Sequence, residues 1–330
     1  MDQELKDICE LYAVNRDTLK QVFPLESVQV FPVCAAQLTG HHIRIEGERL
    51  KEARKALRAN AGIFSNLRGL VEIPVVTAIA MSPDHDGKAK EIVDMYSLLK
   101  QDFFPSTYLP IAATVLTELA PGEKAKPYIE RGKKIYKLMK SEHPLLTGQE
   151  DAVMSVLLAF SEKSDGALLQ DMEAIYQTLK AEIRFSGSDS VQMASHILAM
   201  SDAEPSTLVK RFMQLFNGLK EKGYPYGREY QLPALAVLAM SGRNAQEVMA
   251  EMIEVEAFLK PLKGYHGIFG FTKKERLMHA AMIVSLQEEE NAVPDTGILT
   301  STAVMIAAQQ AAMCAMVAAM AASTSASSAH

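Results

Sequence analysis

The sequence predicts an all-α protein made of tandem αα-hairpin repeats of about 40 residues, and three observations predict it. First, a motif of an aliphatic residue, an aromatic residue, a later Leu or Met and a closing Lys recurs about every 40 residues. Second, a shorter apolar segment lies between successive copies of the motif. Third, no stretch alternates convincingly with the period of two that a half-buried strand shows. A period of roughly 20 to 50 residues is typical of repeat arrays, in which each unit buries its apolar face against its neighbours.

The motif marks the second helix of each repeat, which we expect in an outer layer. Its copies occupy residues 95–100, 135–140, 175–180 and 215–220, with a weaker copy at 255–260. The apolar positions of the motif fall at near-helical spacing. Its Lys lies in the last turn, where a cation suits the negative end of the helix dipole.

The first helix of each repeat is shorter and more apolar, so we expect it in an inner layer. Six such segments are residues 75–81, 113–119, 153–160, 191–200, 234–240 and 277–284. Prolines stand about eight residues before the ends of several of them, and proline is tolerated in a first helical turn. Three pairs of residues have the spacing of a capping box: Thr147 with Glu150, Ser201 with Glu204, and Thr272 with Glu275.

We therefore predict an N-terminal helix at about residues 3–20, followed by seven hairpins that begin near Pro24. Two arrangements fit repeats of near-uniform length, an αα-toroid and an open α-solenoid. The inner helices are apolar on almost every side, which favours the toroid.

The segment after residue 296 differs from the repeats. Residues 297–330 contain no Asp, Glu, Lys or Arg, and residues 303–322 are mostly Ala, Met and Val. That length alone would permit a membrane span, but Ala is weakly hydrophobic, two Gln residues lie mid-segment, and no basic cluster flanks it. We predict a repeat domain at 1–296, a helix at 297–322 that packs as the outer partner of the last hairpin, and a disordered tail at 323–330.

Composition and charge exclude several function classes. The net charge of −6 argues against a nucleic-acid partner, because phosphate binding needs clustered Lys and Arg. Cys9, Cys34 and Cys314 stand far apart, which fits neither a disulfide framework nor a zinc module. The charged N-terminus lacks an apolar signal region. We therefore expect a cytoplasmic protein with no metal, no cofactor and no membrane partner.

Loops that enter the inner helices would converge on the mouth of a toroid, so polar residues there are the first candidates for a site. The segment 143–151 is one such entry. Capping alone accounts for Thr147. Asp151 and Ser155 lie four residues apart on one helical face, and His143 can approach the same mouth.

The inner helix at 191–200 extends this pattern with a polar stripe. Asp189, Gln192 and His196 fall on one face of an otherwise apolar helix. A buried polar stripe is costly unless it is hydrogen-bonded, so it forms either a structural ladder or a ligand contact. With Asp151 one repeat away, His196 is a candidate general base or metal ligand.

Other chemistry-bearing patterns are weaker. Arg68, in the segment 62–69, is a candidate clamp for an anion, although the same segment fits a helix stop and turn equally well. The sequence contains no P-loop, no dinucleotide fingerprint and no nucleophile elbow.

The chain resembles a bacterial domain-of-unknown-function family, the one numbered 4003. Three stretches carry the resemblance: Phe64-Ser65-x-x-Arg68-Gly69, Met139-Lys140-x-Glu142-His143-Pro144-x-Leu146-Thr147-Gly148-Gln149-Glu150-Asp151, and Gln192-x-x-Ser195-His196-Ile197-Leu198. The similarity covers nearly the whole chain, while Met193 and Ala194 replace bulkier apolar residues. The resemblance implies an all-helical bacterial protein and no particular activity, and it adds Ser195 to the positions to test.

The sequence leaves three functions open. The leading hypothesis is a helical-repeat protein that binds a small molecule or a protein partner on its inner or concave surface, through Thr147, Asp151, Asp189, Gln192, Ser195, His196 and Arg68. The second is a hydrolase or lyase at the toroid mouth, with Asp151 and His196 as acid and base and His143 assisting. The third is a membrane-peripheral protein anchored by its last helix.

Overall fold

The computed structural model describes residues 1–63, 65–144, 146–183, 186–267 and 270–287, and this part of the chain is all-helical. It contains fourteen α-helices, two short 3-10 helices and no strand, which confirms the predicted fold class at that level. The described residues form two compact units, one of residues 11–160 and one of residues 1–10 with 161–287. The first helix, α1 (Gln3–Val22), contributes to both units and agrees with the N-terminal helix predicted at about 3–20.

The unit of residues 11–160 alternates short apolar helices with longer amphipathic ones. Its helices are α2 (Val30–Gly40), α3 (Gly47–Asn60), α4 (Glu72–Met81), α5 (His85–Leu99), α6 (Leu109–Leu119), α7 (Lys126–Glu142) and α8 (Glu150–Leu158). The inner helices α2, α4, α6 and α8 contact one another in that order, and the outer helices α3 and α5 pack together. Almost every described side chain of the inner helices is buried, because these helices are covered on several sides.

The second unit repeats the same alternation. Its helices are α9 (Asp165–Glu182), α10 (Ser188–Ala199), α11 (Pro205–Glu221), α12 (Leu232–Met240), α13 (Ala245–Leu259) and α14 (Lys273–Val284). The inner helices α10, α12 and α14 contact in succession, as do the outer helices α9, α11 and α13. The inner helices of both units start near the predicted segments, a few residues earlier, because their first turns contain polar residues and Pro that an apolar pattern omits.

The pairing of helices differs from the predicted hairpins. Each outer helix packs most extensively on the inner helix that follows it, as α3 does on α4 and α13 on α14, rather than on the inner helix before it. Within the described residues, the outer helix that packs on α14 is α13. The helix predicted at 297–322 and the tail predicted at 323–330 lie outside the described residues.

A hydrogen bond of one kind repeats between outer helices and the C-terminal ends of the inner helices that follow them. A cation in or just before an outer helix donates to a carbonyl at the end of the next inner helix, at 3.0 to 3.5 Å. The five donor and acceptor pairs are Arg49 with Ser82, Lys88 with Thr117, Arg131 with Ala159, Lys163 with Ala199, and Arg243 with Val284. Each bond satisfies a carbonyl that lacks a partner within its own helix and places positive charge at the negative end of the dipole.

One of the three predicted capping boxes is present. Thr272 caps α14, and the Glu275 side chain accepts from the Thr272 backbone in return. The prediction is wrong at Thr147 and Ser201, because α8 begins after Gln149 and α11 after Glu204. The two hydroxyls instead serve neighbouring turns.

Candidate functional site

Thr147 closes the carbonyl end of α7. Its hydroxyl donates to the His143 carbonyl at 2.9 Å and to the Met139 carbonyl at 3.1 Å, and the side chain is buried. His143 itself is the half-buried residue that ends α7. Thr147 was predicted to contact a ligand, but its hydroxyl is committed to backbone carbonyls, so its role in this geometry is to hold the loop.

Two residues of the repeated motif hold the same loop from α7. Lys140 Nζ donates to the Thr147 carbonyl at 2.6 Å and to the Pro144 carbonyl at 2.7 Å. Tyr136 donates its hydroxyl to the Gly148 carbonyl at 3.2 Å. The motif Lys therefore does more than balance the helix dipole, because it fixes the backbone that leads into α8.

Asp151 lies in the first turn of α8 and is buried. Its Oδ2 accepts a 2.8 Å hydrogen bond from the Gly148 N–H, so the carboxylate also braces the entry loop. Ser155, one turn later, donates to the Ala152 carbonyl of its own helix.

Arg68 ends the 3-10 helix Asn66–Arg68 in the loop before α4. The loop is well anchored, since Asn66 Nδ2 donates to the Tyr96 hydroxyl at 3.1 Å and to the Ser106 carbonyl at 3.0 Å. The half-buried Arg68 guanidinium makes no hydrogen bond or ion pair with another described residue. An arginine on a fixed loop without a carboxylate partner fits the predicted anion contact.

The polar stripe of α10 is only partly buried, and this corrects the prediction. Asp189 lies in the first turn and is exposed, whereas Gln192, Ser195 and His196 are buried. Helix α10 begins at Ser188, so Asp189 falls at its open end rather than in the packed layer. Ser195 donates its hydroxyl to the Gln192 carbonyl at 2.7 Å, which leaves it little capacity for a ligand.

Gln192 is the outstanding polar group of this helix. Its side chain is 5% exposed, yet its carboxamide makes no hydrogen bond with another described residue. Gln231 has the same exposure and differs, because its Oε1 accepts from the Glu229 N–H at 3.1 Å. The Gln192 amide atoms are not among the fully buried polar atoms that lack a partner, so water or a bound molecule can reach them.

The structure divides the predicted site residues between the two units. His143, Thr147, Asp151 and Arg68 belong to residues 11–160, and Asp189, Gln192, Ser195 and His196 belong to the other unit. Within α10, Gln192 and His196 lie one turn apart and are both buried. The acid and base pairing of Asp151 with His196 stays a prediction.

Sequence reasoning missed a buried polar cluster at the start of α14. The Tyr265 hydroxyl and His279 Nδ1 lie 3.0 Å apart, and the Phe271 ring packs edge-on against the imidazole. Arg276 Nε donates to Glu256 Oε1 at 2.7 Å, and its Nη1 donates to the Phe271 carbonyl at 2.7 Å. A lone His within the apolar run 277–284 was the signal that could have revealed the cluster.

A second missed cluster surrounds Glu72, at the start of α4. Burial opposes ionisation of this carboxylate, but the hydrogen bonds and charges of Arg54 and Arg58 outweigh it and lower the pKa of Glu72. Sequence analysis assigned no partner to this residue, because the two arginines precede it by 14 and 18 residues in another helix.

A family model described as a protein of unknown function (DUF4003) matches residues 15–311. The chain belongs to the DUF4003 family. It is also similar to the uncharacterized protein YeaA of Bacillus subtilis (strain 168), with 26% identity over 326 residues, covering 94% of this chain and 93% of YeaA. No solved structure matches this DUF4003 chain.

Among the described residues, no group of three or more His, Cys, Asp or Glu side chains is placed to hold a metal ion. No helix in the same part of this DUF4003 protein is long and apolar enough to cross a bilayer.

Proposed function

We propose that this protein binds a small polar molecule through its inner helices, with the Gln192 carboxamide as a direct contact. The single observation that carries the proposal is the Gln192 amide, which lies on an inner helix, is reachable from solvent and has no hydrogen-bond partner among the described residues. A bound molecule that offers both a donor and an acceptor would satisfy the two ends of the amide. His196, buried one turn further along α10, is the second contact.

The class of ligand follows from the polar groups near the N-terminus of α10. The exposed carboxylate of Asp189 and the Gln192 amide favour a neutral or cationic ligand that donates hydrogen bonds. In the other unit, the Arg68 guanidinium and the Asp151 carboxylate are separate candidates for contact with an anionic and a cationic group, respectively. We place the protein in the cytoplasm.

We also propose that the hairpins form a regular helical-repeat array, either an αα-toroid or an α-solenoid. The succession of contacts along the inner helices and along the outer helices of each unit supports it. Small-angle X-ray scattering separates the two arrangements. A compact toroid of 330 residues should have a radius of gyration of about 20 Å, and an open solenoid a clearly larger one.

Native mass spectrometry of the protein purified gently from its own host tests the ligand proposal. The wild type should carry a co-purifying small molecule, and Gln192→Leu should lose it. Because the Gln192 amide makes no hydrogen bond with another described residue, Gln192→Leu breaks no internal bond and should unfold at the same or higher urea concentration than the wild type.

The matched control is Ser195→Ala, which alters the same helix but removes a hydroxyl that bonds its own backbone. It should keep the bound molecule. A wild type that carries no small molecule, or a Gln192→Leu protein that keeps it, would overturn the proposal.

A second candidate function is acid and base catalysis of a hydrolysis or elimination, with Asp151 and His196 as the pair and His143 assisting. The burial of both side chains supports it, since a general acid and a general base work in a site that excludes water. His196→Gln should then keep the bound molecule and abolish its turnover, whereas loss of the molecule itself would favour the binding role.

A further inference from the structure

Most of the large apolar side chains exposed by the described part of the structure lie in three consecutive loops of the unit 11–160. These loops, residues 23–29, 61–71 and 100–108, lead into α2, α4 and α6. Their exposed apolar residues are Leu25, Val28, Ile63, Leu70 and Phe104. We call these five residues the apolar-tip surface.

Hydrogen bonds hold the three loops side by side. Arg54 Nη2 donates to Glu26 of the first loop at 2.8 Å and to Glu72, directly after the second loop, at 2.7 Å. Asn66 of the second loop donates to the Ser106 carbonyl of the third at 3.0 Å. The three loops that carry the five apolar residues are therefore tied to one another.

The tips project instead of packing back onto their loops. Leu25 is 97% exposed, and Ile63 and Phe104 are each 76% exposed. In the second unit, the described residues of the loops at 222–231, 260–267 and 270–272 expose no large apolar side chain. Apolar patches such as the one in the unit 11–160 mark contact surfaces.

The charge around the tips is positive, although the whole chain has a net charge of −6. Arg68 has no carboxylate partner among the described residues, and Lys100 is exposed. The nearby carboxylates of Glu26, Glu72 and Asp102 are paired with cations, namely Arg54, Arg58 and Lys133. The local excess of cations complements an anionic partner.

We infer that the apolar-tip surface docks on an anionic lipid membrane. Separate apolar side chains that protrude from loop tips insert readily between lipid headgroups, while neighbouring cations contact the phosphates. A folded protein partner would need a matching pocket for each tip, whereas an acyl layer deforms around them. Apart from Arg68, the inference uses residues other than those named as ligand contacts, and it stands independently of the Gln192 contact.

Cosedimentation of the full chain with vesicles tests the inference. The wild type should pellet with vesicles of phosphatidylglycerol and phosphatidylcholine and much less with phosphatidylcholine alone. The triple substitution Leu25→Ser, Ile63→Ser and Phe104→Ser should weaken binding by about tenfold or more, because three apolar side chains no longer leave water. Arg68→Gln should weaken binding to the anionic vesicles alone.

Val14→Ser is the matched control, since Val14 is an exposed apolar residue on α1 outside the three loops. It should bind like the wild type, and circular dichroism should show unchanged helix content in every variant. A wild type that pellets with neither vesicle overturns the inference and assigns the surface to a protein partner. A triple variant that binds like the wild type also overturns it, and places the membrane contact elsewhere in the chain.

Discussion

Arg54 of α3 donates two hydrogen bonds to the Glu72 carboxylate at the start of α4, from Nη2 to Oε2 at 2.7 Å and from Nε to Oε1 at 3.2 Å. Arg58 approaches the same carboxylate from one turn further along α3. The two arginines fasten an outer helix to the inner helix that follows it. Bidentate pairs between arginine and a carboxylate are among the stronger hydrogen bonds in proteins.

The first prediction concerns how the stability of the protein changes in acid. The pKa of Glu72 is lowered in the folded protein, so the folded state resists protonation more than the unfolded state does. The stabilisation by Glu72 is present above its ordinary pKa of 4.5 and is lost as the pH falls below that value towards the folded pKa. Glu72→Gln should lower the free energy of unfolding at pH 7 by about 2 kcal/mol and flatten the loss of stability in acid.

Urea unfolding at a series of pH values measures both effects. Glu48→Gln, on the exposed side of α3, is the control and should leave the wild-type pH profile intact. An unchanged acid profile in Glu72→Gln would contradict the prediction.

Thr147 gives a second prediction, which separates a structural residue from a ligand contact. Thr147→Val keeps the shape of the side chain but removes the hydroxyl that bonds the Met139 and His143 carbonyls, which then keep only their backbone N–H donors. It should lower the free energy of unfolding by about 1 kcal/mol. Thr147→Ser retains the hydroxyl and should recover most of that loss in the same urea titration. Equal stability of the Val and Ser proteins would argue that the hydroxyl contributes little.

The third prediction tests the close approach of α7 and α8. A Cβ added to Gly132 would lie 2.9 Å from the Val156 Cα and 3.2 Å from the Ser155 carbonyl oxygen. Gly132→Ala should therefore destabilise the protein by about 1–3 kcal/mol, although Ala favours helix. Gly166→Ala is the contrast, because a Cβ there meets nothing within 4 Å. It should leave stability equal or raise it by up to about 1 kcal/mol, and thermal unfolding compares the two.

The fourth prediction concerns the bond from Lys88 to the Thr117 carbonyl. Lys88→Met keeps the aliphatic stem but removes the ammonium group at the end of α6. The free energy of unfolding should fall by about 1 kcal/mol. Lys90→Met, at an exposed position two residues away, should have no measurable effect. Equal losses of stability in the two variants would contradict the prediction, because the loss would then come from removing a positive charge and not from removing the bond to the Thr117 carbonyl.

The layered alternation of helices could be predicted because it depends on local periodicity. The recurrence of Ile135, Ile175 and Leu215 marked the buried face of each outer helix, and all three are buried. The pairing of helices could not be predicted, because the spacing of the motif is the same whichever inner helix an outer helix covers. The cation bonds were also missed, since Arg49, Lys88 and Lys163 differ in residue type and in their position relative to the motif.

The candidate site was predicted less completely, and for a physical reason. Helical spacing correctly placed Gln192 and His196 in the packed layer, but it could not determine that α10 starts at Ser188 and leaves Asp189 exposed. The bonding of Thr147 depends on how the loop after α7 turns back on itself, which capping spacing does not encode. The cluster of Tyr265 and His279 joins residues of a loop and a helix, and no local pattern links them.

The order of packing has a consequence for synthesis on the ribosome. Each outer helix is synthesised before the inner helix on which it packs. Until that inner helix has left the ribosome, the apolar side of the outer helix has no packing partner. Ile175 and Leu179 of α9, for example, are made before α10 exists to pack on that helix. The growing protein therefore offers one incomplete face at a time to chaperones, and that face moves along the chain as translation proceeds.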